Sequence, residues 1–144
     1  MILPIERVMI LKSVSIFSST PVEYLANVAD VLEEIEIREG ETIIEKGDLG
    51  RSLYIIVYGK VYMHKGERFL AILGSREVFG EWAALDPEPR AASAKAITDC
   101  LLFRLEYDAL YELMEADVEV VQGIIHILCK RLRSMANAAI SNKK

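Results

Sequence analysis

Histidine and cysteine are scarce in this chain, with two of each in 144 residues. His64 falls in a strand-like run and His126 in a helix-like one, so clustered imidazoles and a metal site are not expected. Cys100 and Cys129 both lie inside apolar runs, which suits buried free thiols in a reducing compartment and excludes a disulfide framework. No serine stands in a nucleophile elbow and no Cys–His pair is suggested, so an enzyme has no supporting residues. No apolar run approaches the roughly 18 residues that a membrane span needs. The start, Met1-Ile2-Leu3-Pro4-Ile5-Glu6-Arg7, lacks the basic then apolar order of a secretory signal, and a cytoplasmic protein is expected. Positive charge is also in deficit, 17 Lys and Arg against 22 Asp and Glu for a net −5. That balance argues against binding nucleic acid through a basic surface. Tyr54, Tyr58 and Tyr62 lack the basic interleaving of a base-stacking platform and read as core and surface positions.

Apolar residues make up 52% of the chain, enough for a proper core in a single domain spanning 1–144. There is no linker, low-complexity block or internal repeat. Residues 1–33 read as N-terminal helices. Ile5, Val8, Met9, Leu11 and Val14 have helical spacing, and Ile16-Phe17 look like an anchor. Thr20, Pro21 and Glu23 then predict a capping box for a helix to about Glu33 that buries Leu25, Val28, Ala29 and Leu32. Seven of the eight glycines fall between residues 40 and 80, separating short β-branched and aromatic pieces. Eight or so short strands are expected over 34–106, in an antiparallel β jelly-roll barrel, with Lys65-Gly66-Glu67 at a hairpin tip. Residues 107–140 return to helix: a short one at Tyr107–Met114, then a long one capped by Asp117. In the long helix Val121, Ile125, Leu128, Leu132, Met135 and Ala139 form a short heptad seam, which either packs back on the barrel or pairs with a second copy. Ser141-Asn142-Lys143-Lys144 reads as a frayed tail.

The informative stretch is residues 79–93, Phe79-Gly80-Glu81-Trp82-Ala83-Ala84-Leu85 followed by Pro89-Arg90-Ala91-Ala92-Ser93. Gly80 lets backbone and ligand approach closely. One helical turn after it would aim N–H groups at an anion. Arg90 adds a forked donor that matches phosphate oxygens in pairs. Ala83, Ala84, Ala91 and Ala92 leave room. A carboxylate repels phosphate, so Glu81 makes sense as acceptor for a nearby hydroxyl such as a ribose 2′-OH. Phosphate donors with one hydroxyl acceptor point to a nucleotide. A lone acid and arginine would instead read as a surface pair worth about 0–1 kcal/mol. The composite of both motifs is far more specific than either residue.

At these residues the chain resembles the cyclic nucleotide-binding domain family, of the catabolite activator and protein kinase A regulatory subunit type. The family's phosphate-binding cassette looks like Phe79 to Leu85 and Arg90 to Ser93 here, with the kinase subunits' spacing between acid and arginine. Glu45 to Tyr54 is similar to the family's Gly-Asp-x-Gly turn and following strand, and Gly59-Lys60-Val61 to its next turn. The resemblance covers nearly the whole chain. It implies that Arg90 holds the exocyclic phosphate oxygens, Glu81 takes the ribose 2′-OH, and backbone N–H groups near Gly80, Ala83 and Ala91 complete the cradle. Ala91 stands where some cyclic GMP-responsive relatives carry a threonine, so cyclic AMP is the implied ligand ahead of cyclic GMP, with no other cofactor.

The implied function is a regulatory sensor that signals through its C-terminal helices to a partner or a parent chain, with a homodimer through the long helix also open. The chain stops soon after Ala139, so no helix-turn-helix is expected to follow. The alternative is a fold-only interaction module with a lost or altered ligand. Three departures bear on the choice. Arg51 stands where many relatives have an acid; it either adds to anion binding or points to solvent. Trp82 replaces an aliphatic residue and reads as an anchor of the shell, or else lies near the ligand. No aromatic lid follows the cassette, leaving Arg131, Arg133, Ser134 and Asn137 of the long helix as candidates to cover the base.

Overall fold

Glycine turns and β-branched runs divide this chain into helical ends and a sheet-rich middle. The computed structural model describes residues 2–142, in two compact units: residues up to 30 together with those from 113 on, and residues 31–112.

The helical unit contains α1 (Pro4–Ser13), a 3-10 turn (Ser15–Phe17), α2 (Val22–Asp30), the end of α4 (Tyr107–Ala116) and α5 (Val118–Ser141). Leu11, Val14, Ile16, Phe17, Leu25 and Val28 are buried. Hydrogen bonds tie distant segments of the unit: Arg7 Nη1 donates to Ala29 O at 3.1 Å, and Lys12 Nζ to Thr20 O at 2.9 Å.

Two expected caps do not form. Thr20 Oγ1 is buried with no hydrogen-bond partner among the described residues, packed against Gly123, where any Cβ would meet it. Close packing has displaced capping there. Asp117 occupies the N-cap position of α5 without a capping bond, and its carboxylate accepts from Asn27 Nδ2 at 3.1 Å. Helix α2 ends at Asp30, three residues before the expected Glu33, which belongs to a strand.

The buried face of α5 is Val120, Gly123, Ile124 and Ile127, one position off the heptad seam. Of the seam residues, Ile125, Leu132 and Met135 are 52%, 64% and 67% exposed. Of the expected frayed tail, Lys143 and Lys144 lie outside the described residues, and Ser141 still belongs to α5. No helix among the described residues is long and apolar enough to cross a membrane.

The second unit holds ten strands, all paired antiparallel. They are β1 (Glu33–Ile37), β2 (Thr42–Ile44), β3 (Leu49–Gly50), β4 (Ser52–Tyr58), β5 (Val61–Lys65), β6 (Arg68–Leu73), β7 (Val78–Phe79), β8 (Glu88–Pro89), β9 (Ser93–Ala96) and β10 (Cys100–Glu106). One sheet runs β1-β10-β4-β7, the other β2-β9-β5-β6, and β3 pairs with β8 as a separate ribbon. Tyr54, Ile56, Phe79, Cys100 and Leu102 from the first sheet meet Val61, Ala94 and Ala96 from the second in one core. The alanines opposite the large side chains let the two faces interdigitate. The Cys100 thiol points at Lys60 O, 3.4 Å away, a buried free cysteine as expected; Cys129 is half-buried.

Three of the strands without a sequence signal, β3, β7 and β8, are two residues long. The fourth, β1, is glutamate-rich, which reads poorly as strand. It forms because Ile35 and Ile37 alternate inward, every residue of it pairs with β10, and Glu33 meets Arg104 Nη2 at 2.8 Å.

Candidate functional site

Strand β7 carries the chain up beside β4, with Tyr54 opposite Phe79 and their rings stacked at 5.1 Å and 13°. Gly80 then turns the backbone with φ 72°, a left-handed value that suits glycine, and α3 (Glu81–Leu85) starts from it. Ala83 and Ala84 are the buried residues of α3, and their small side chains let it lie close to β4. After α3 the chain pairs β8 with β3, so that Arg90 emerges beside Gly50. The glycine turn grips the backbone of Arg90 from both sides. Arg90 N–H donates to Asp48 O at 2.7 Å, and Gly47 N–H donates to Arg90 O at 2.8 Å.

The guanidinium lies in a slot that only glycines leave open. A Cβ on Gly50 would meet its Nε, Cζ and Cδ within 2.8 Å, and a Cβ on Gly80 would run into Nη1. Arg90 is 9% exposed. Nη2 donates to Ser52 O at 2.9 Å, while Nη1 is buried with no hydrogen-bond partner among the described residues. The Tyr54 ring lies 5.9 Å from Cζ. Burial pulls the Arg90 pKa below its ordinary value, with the nearby tyrosine opposing. The group stays charged, so the shift records a desolvated cation.

Arg51, for which the sequence left anion binding or solvent open, is held in an ion pair. It meets Asp108 Oδ1 at 2.9 Å, with its Cζ 5.1 Å from the Tyr107 ring centroid, and it shares with Arg90 the lining of a second cavity. Its carbonyl accepts Tyr107 N–H at 2.6 Å. Both members of the ion pair are largely exposed, so the pair is worth about 0–1 kcal/mol. Its consequence is positional: the residue two before β4's Leu53 is tied to the first turn of α4.

Beside Arg90 lies an open cleft of about 280 Å³. All five residues expected at a site, Gly80, Glu81, Ala83, Arg90 and Ala91, line it. The N–H of Ala83 is not idle, since it donates to Gly80 O at 3.2 Å. The sequence left out Ile44, Met63 and Val78, which form an apolar wall. They come from β2, β5 and β7, and nothing in their local spacing distinguishes them from ordinary core residues.

Trp82 had two readings, an anchor of the shell or a residue near the ligand. The first does not hold, since Trp82 is 66% exposed, and the residue lines the cleft. The inward positions of α3 are taken by Ala83 and Ala84, and the preceding residue projects away from β4. Of the candidates to cover a base, Arg131 Nη2 instead donates to Ser15 Oγ at 3.1 Å, and Arg133, Ser134 and Asn137 are exposed on α5. Among the described residues there is no group of three or more His, Cys, Asp or Glu placed to hold a metal ion.

Comparison with known proteins agrees with this geometry. The family model described as "Cyclic nucleotide-binding domain" matches residues 34–117, more than half of the chain. A CRP-like cAMP-activated global transcriptional regulator of Mycobacterium tuberculosis is 31% identical over 133 residues, covering 89% of this chain and 59% of the relative. The cyclic AMP receptor protein of Thermus thermophilus is 41% identical over 103 residues, covering 66% of this chain and 46% of the relative. The chain thus spans about half the length of these relatives, which are named as regulator and receptor, not as enzymes. The crystal structure of the N-terminal domain of a transcriptional regulator from Streptomyces coelicolor superposes with a TM-score of 0.85 at 28% identity, covering 90% of this chain and 94% of that one.

Proposed function

Because the chain belongs to the cyclic nucleotide-binding domain family, we propose that it is a regulatory module that binds a cyclic purine nucleotide in the cleft beside Arg90, cyclic AMP in preference to cyclic GMP. The observation that carries this reading is the buried guanidinium of Arg90, whose Nη1 has no hydrogen-bond partner among the described residues. A desolvated cation with an unused donor is stabilised by an incoming anion, and a phosphate offers paired acceptor oxygens. Arg90 would take the exocyclic oxygens and Glu81 the ribose 2′-OH, with Gly80, Ala83 and Ala91 closing around the phosphate. For Ala83 to donate to phosphate, its present bond to Gly80 O must be exchanged. Ala91 has no hydroxyl to offer guanine, which favours adenine.

On this reading the two compact units work as one module, and binding is transmitted through the C-terminal helices to a partner or a parent chain. Helix α4 carries the chain from one unit into the other, and its first turn is tied to Arg51. A ligand shifts such an element only by contacting one arrangement better than another. Calorimetric titration tests the reading. Cyclic AMP should bind saturably and more tightly than cyclic GMP, and absence of heat at millimolar cyclic AMP would overturn the proposal.

A second property rests on a separate observation, the exposure of Ile125, Leu132 and Met135 along α5. Apolar residues at heptad spacing suit pairing with a second copy of the same helix. Sedimentation should show a dimer that Leu132→Glu converts to monomer. A monomeric wild-type chain at high concentration would count against it.

A further inference from the structure

We propose that Trp82 covers the nucleobase of the bound nucleotide, so that the cassette helix supplies both the sugar contact and the aromatic face over the base. The inference rests on the reading of the cleft as a nucleotide site. Its starting point is an unfavourable exposure: the single tryptophan of the chain is 66% in contact with solvent, although α3 has buried positions one and two residues later. An indole left in water forgoes the burial that usually stabilises it.

Trp82 also has a particular neighbourhood. It lines the cleft directly after Glu81, and the same cleft is lined by the apolar residues Ile44, Met63 and Val78. The charged donor, Arg90, belongs to the slot between Gly50 and Gly80. A nucleotide has one anionic end, one hydroxylated ring and one flat apolar-faced base. The cleft offers a buried cation, two carboxylates, Glu81 and Glu88, and an aromatic with an apolar wall, and the cation, Glu81 and the aromatic answer those three parts in turn. Other exposed aromatic residues, Tyr58, Phe69 and Tyr111, do not line it. Arg131, the engaged member of the α5 candidates, already donates to Ser15. Stacking needs only a π-face, so Trp82 would raise affinity for either purine, and Ala91 remains the position that bears on adenine against guanine.

Because this is the only tryptophan, its emission reports on one site. The full chain is titrated with cyclic AMP while heat and indole emission are followed together. Emission should change saturably with the same midpoint as the heat. Trp82→Leu should weaken binding about tenfold, within roughly five- to hundredfold for loss of one base stack, and Trp82→Phe should stay within about threefold of wild type. Heat without a change in emission overturns the proposal, and so does wild-type affinity in Trp82→Leu. Should Trp82→Leu fail to fold, the emission of the wild type and the affinity of Trp82→Phe still decide. No heat from the wild-type chain defeats the nucleotide reading of the cleft and this proposal with it. Heat from wild type with an indifferent Trp82 defeats this proposal alone.

Discussion

Arg90→Ala is expected to weaken cyclic AMP binding by a hundredfold or more while leaving the unliganded fold standing. The two effects separate because the guanidinium is desolvated before any ligand arrives. At an effective dielectric near 20, two unit charges about 4 Å apart attract by roughly 4 kcal/mol, close to a thousandfold in affinity. Losing the two paired hydrogen bonds to charged oxygens gives a similar figure. On the unliganded side, the substitution removes the Nη2 bond to Ser52 O, worth about 1 kcal/mol. It also removes a desolvated cation, which offsets part of that loss. Urea unfolding of the two free proteins should therefore differ by no more than about 2 kcal/mol. Calorimetry supplies the affinities. Unchanged affinity would end the phosphate role of Arg90, and a collapsed fold would mean that Arg90 is chiefly structural.

Gly80→Ala should cost both stability and affinity, and its cost should shrink when Arg90 is removed. Two penalties act at this position. The left-handed φ of 72° costs a non-glycine residue about 1 kcal/mol. The added Cβ also runs into Arg90 Nη1 and comes within 3.1 Å of Ser52 O. The first penalty is independent of Arg90 and the second is largely created by it. In the wild-type background Gly80→Ala should destabilise by about 2–3 kcal/mol and weaken cyclic AMP binding tenfold or more, since the guanidinium must leave its slot. In the Arg90→Ala background the destabilisation should fall to about 1 kcal/mol. The difference is a coupling energy, measurable in a double-mutant cycle by urea unfolding. Equal costs in both backgrounds would mean that Gly80 serves the turn alone and does not shape the arginine slot.

The capping signals show where local reading stops. Thr20, Pro21 and Glu23 satisfy every sequence requirement of a capping box, yet the Thr20 hydroxyl is packed beside Gly123, more than a hundred residues away. Asp117 is a good N-cap by type and spends its carboxylate on Asn27. At Asp117 a partner brought close by folding outcompeted one close in sequence, and at Thr20 close packing alone displaced the cap. The glutamates of β1 make the complementary point. Their propensity argues against a strand, but pairing with β10 outweighs it.

Residues 79–93 carry their own chemistry in linear order: a glycine, an acid, small residues and an arginine, a grouping that suits the proposed nucleotide cradle before any fold is known. That is possible because turn geometry, steric room and hydrogen-bonding type belong to residues and their immediate neighbours. The positions of Arg51 and Trp82 could not be read the same way. Arg51 is drawn to Tyr107 and Asp108 by the pairing of β4 with β10, which leads directly into α4. Trp82 is turned outward because Ala83 and Ala84 take the inner face of α3 against β4. The buried Nη1 of Arg90, without a hydrogen-bond partner among the described residues, is likewise a product of strand pairing, since β3 and β8 bring Gly50 and Arg90 together. Side-chain direction and burial depend on which distant strands become neighbours, and that information is spread over the whole chain.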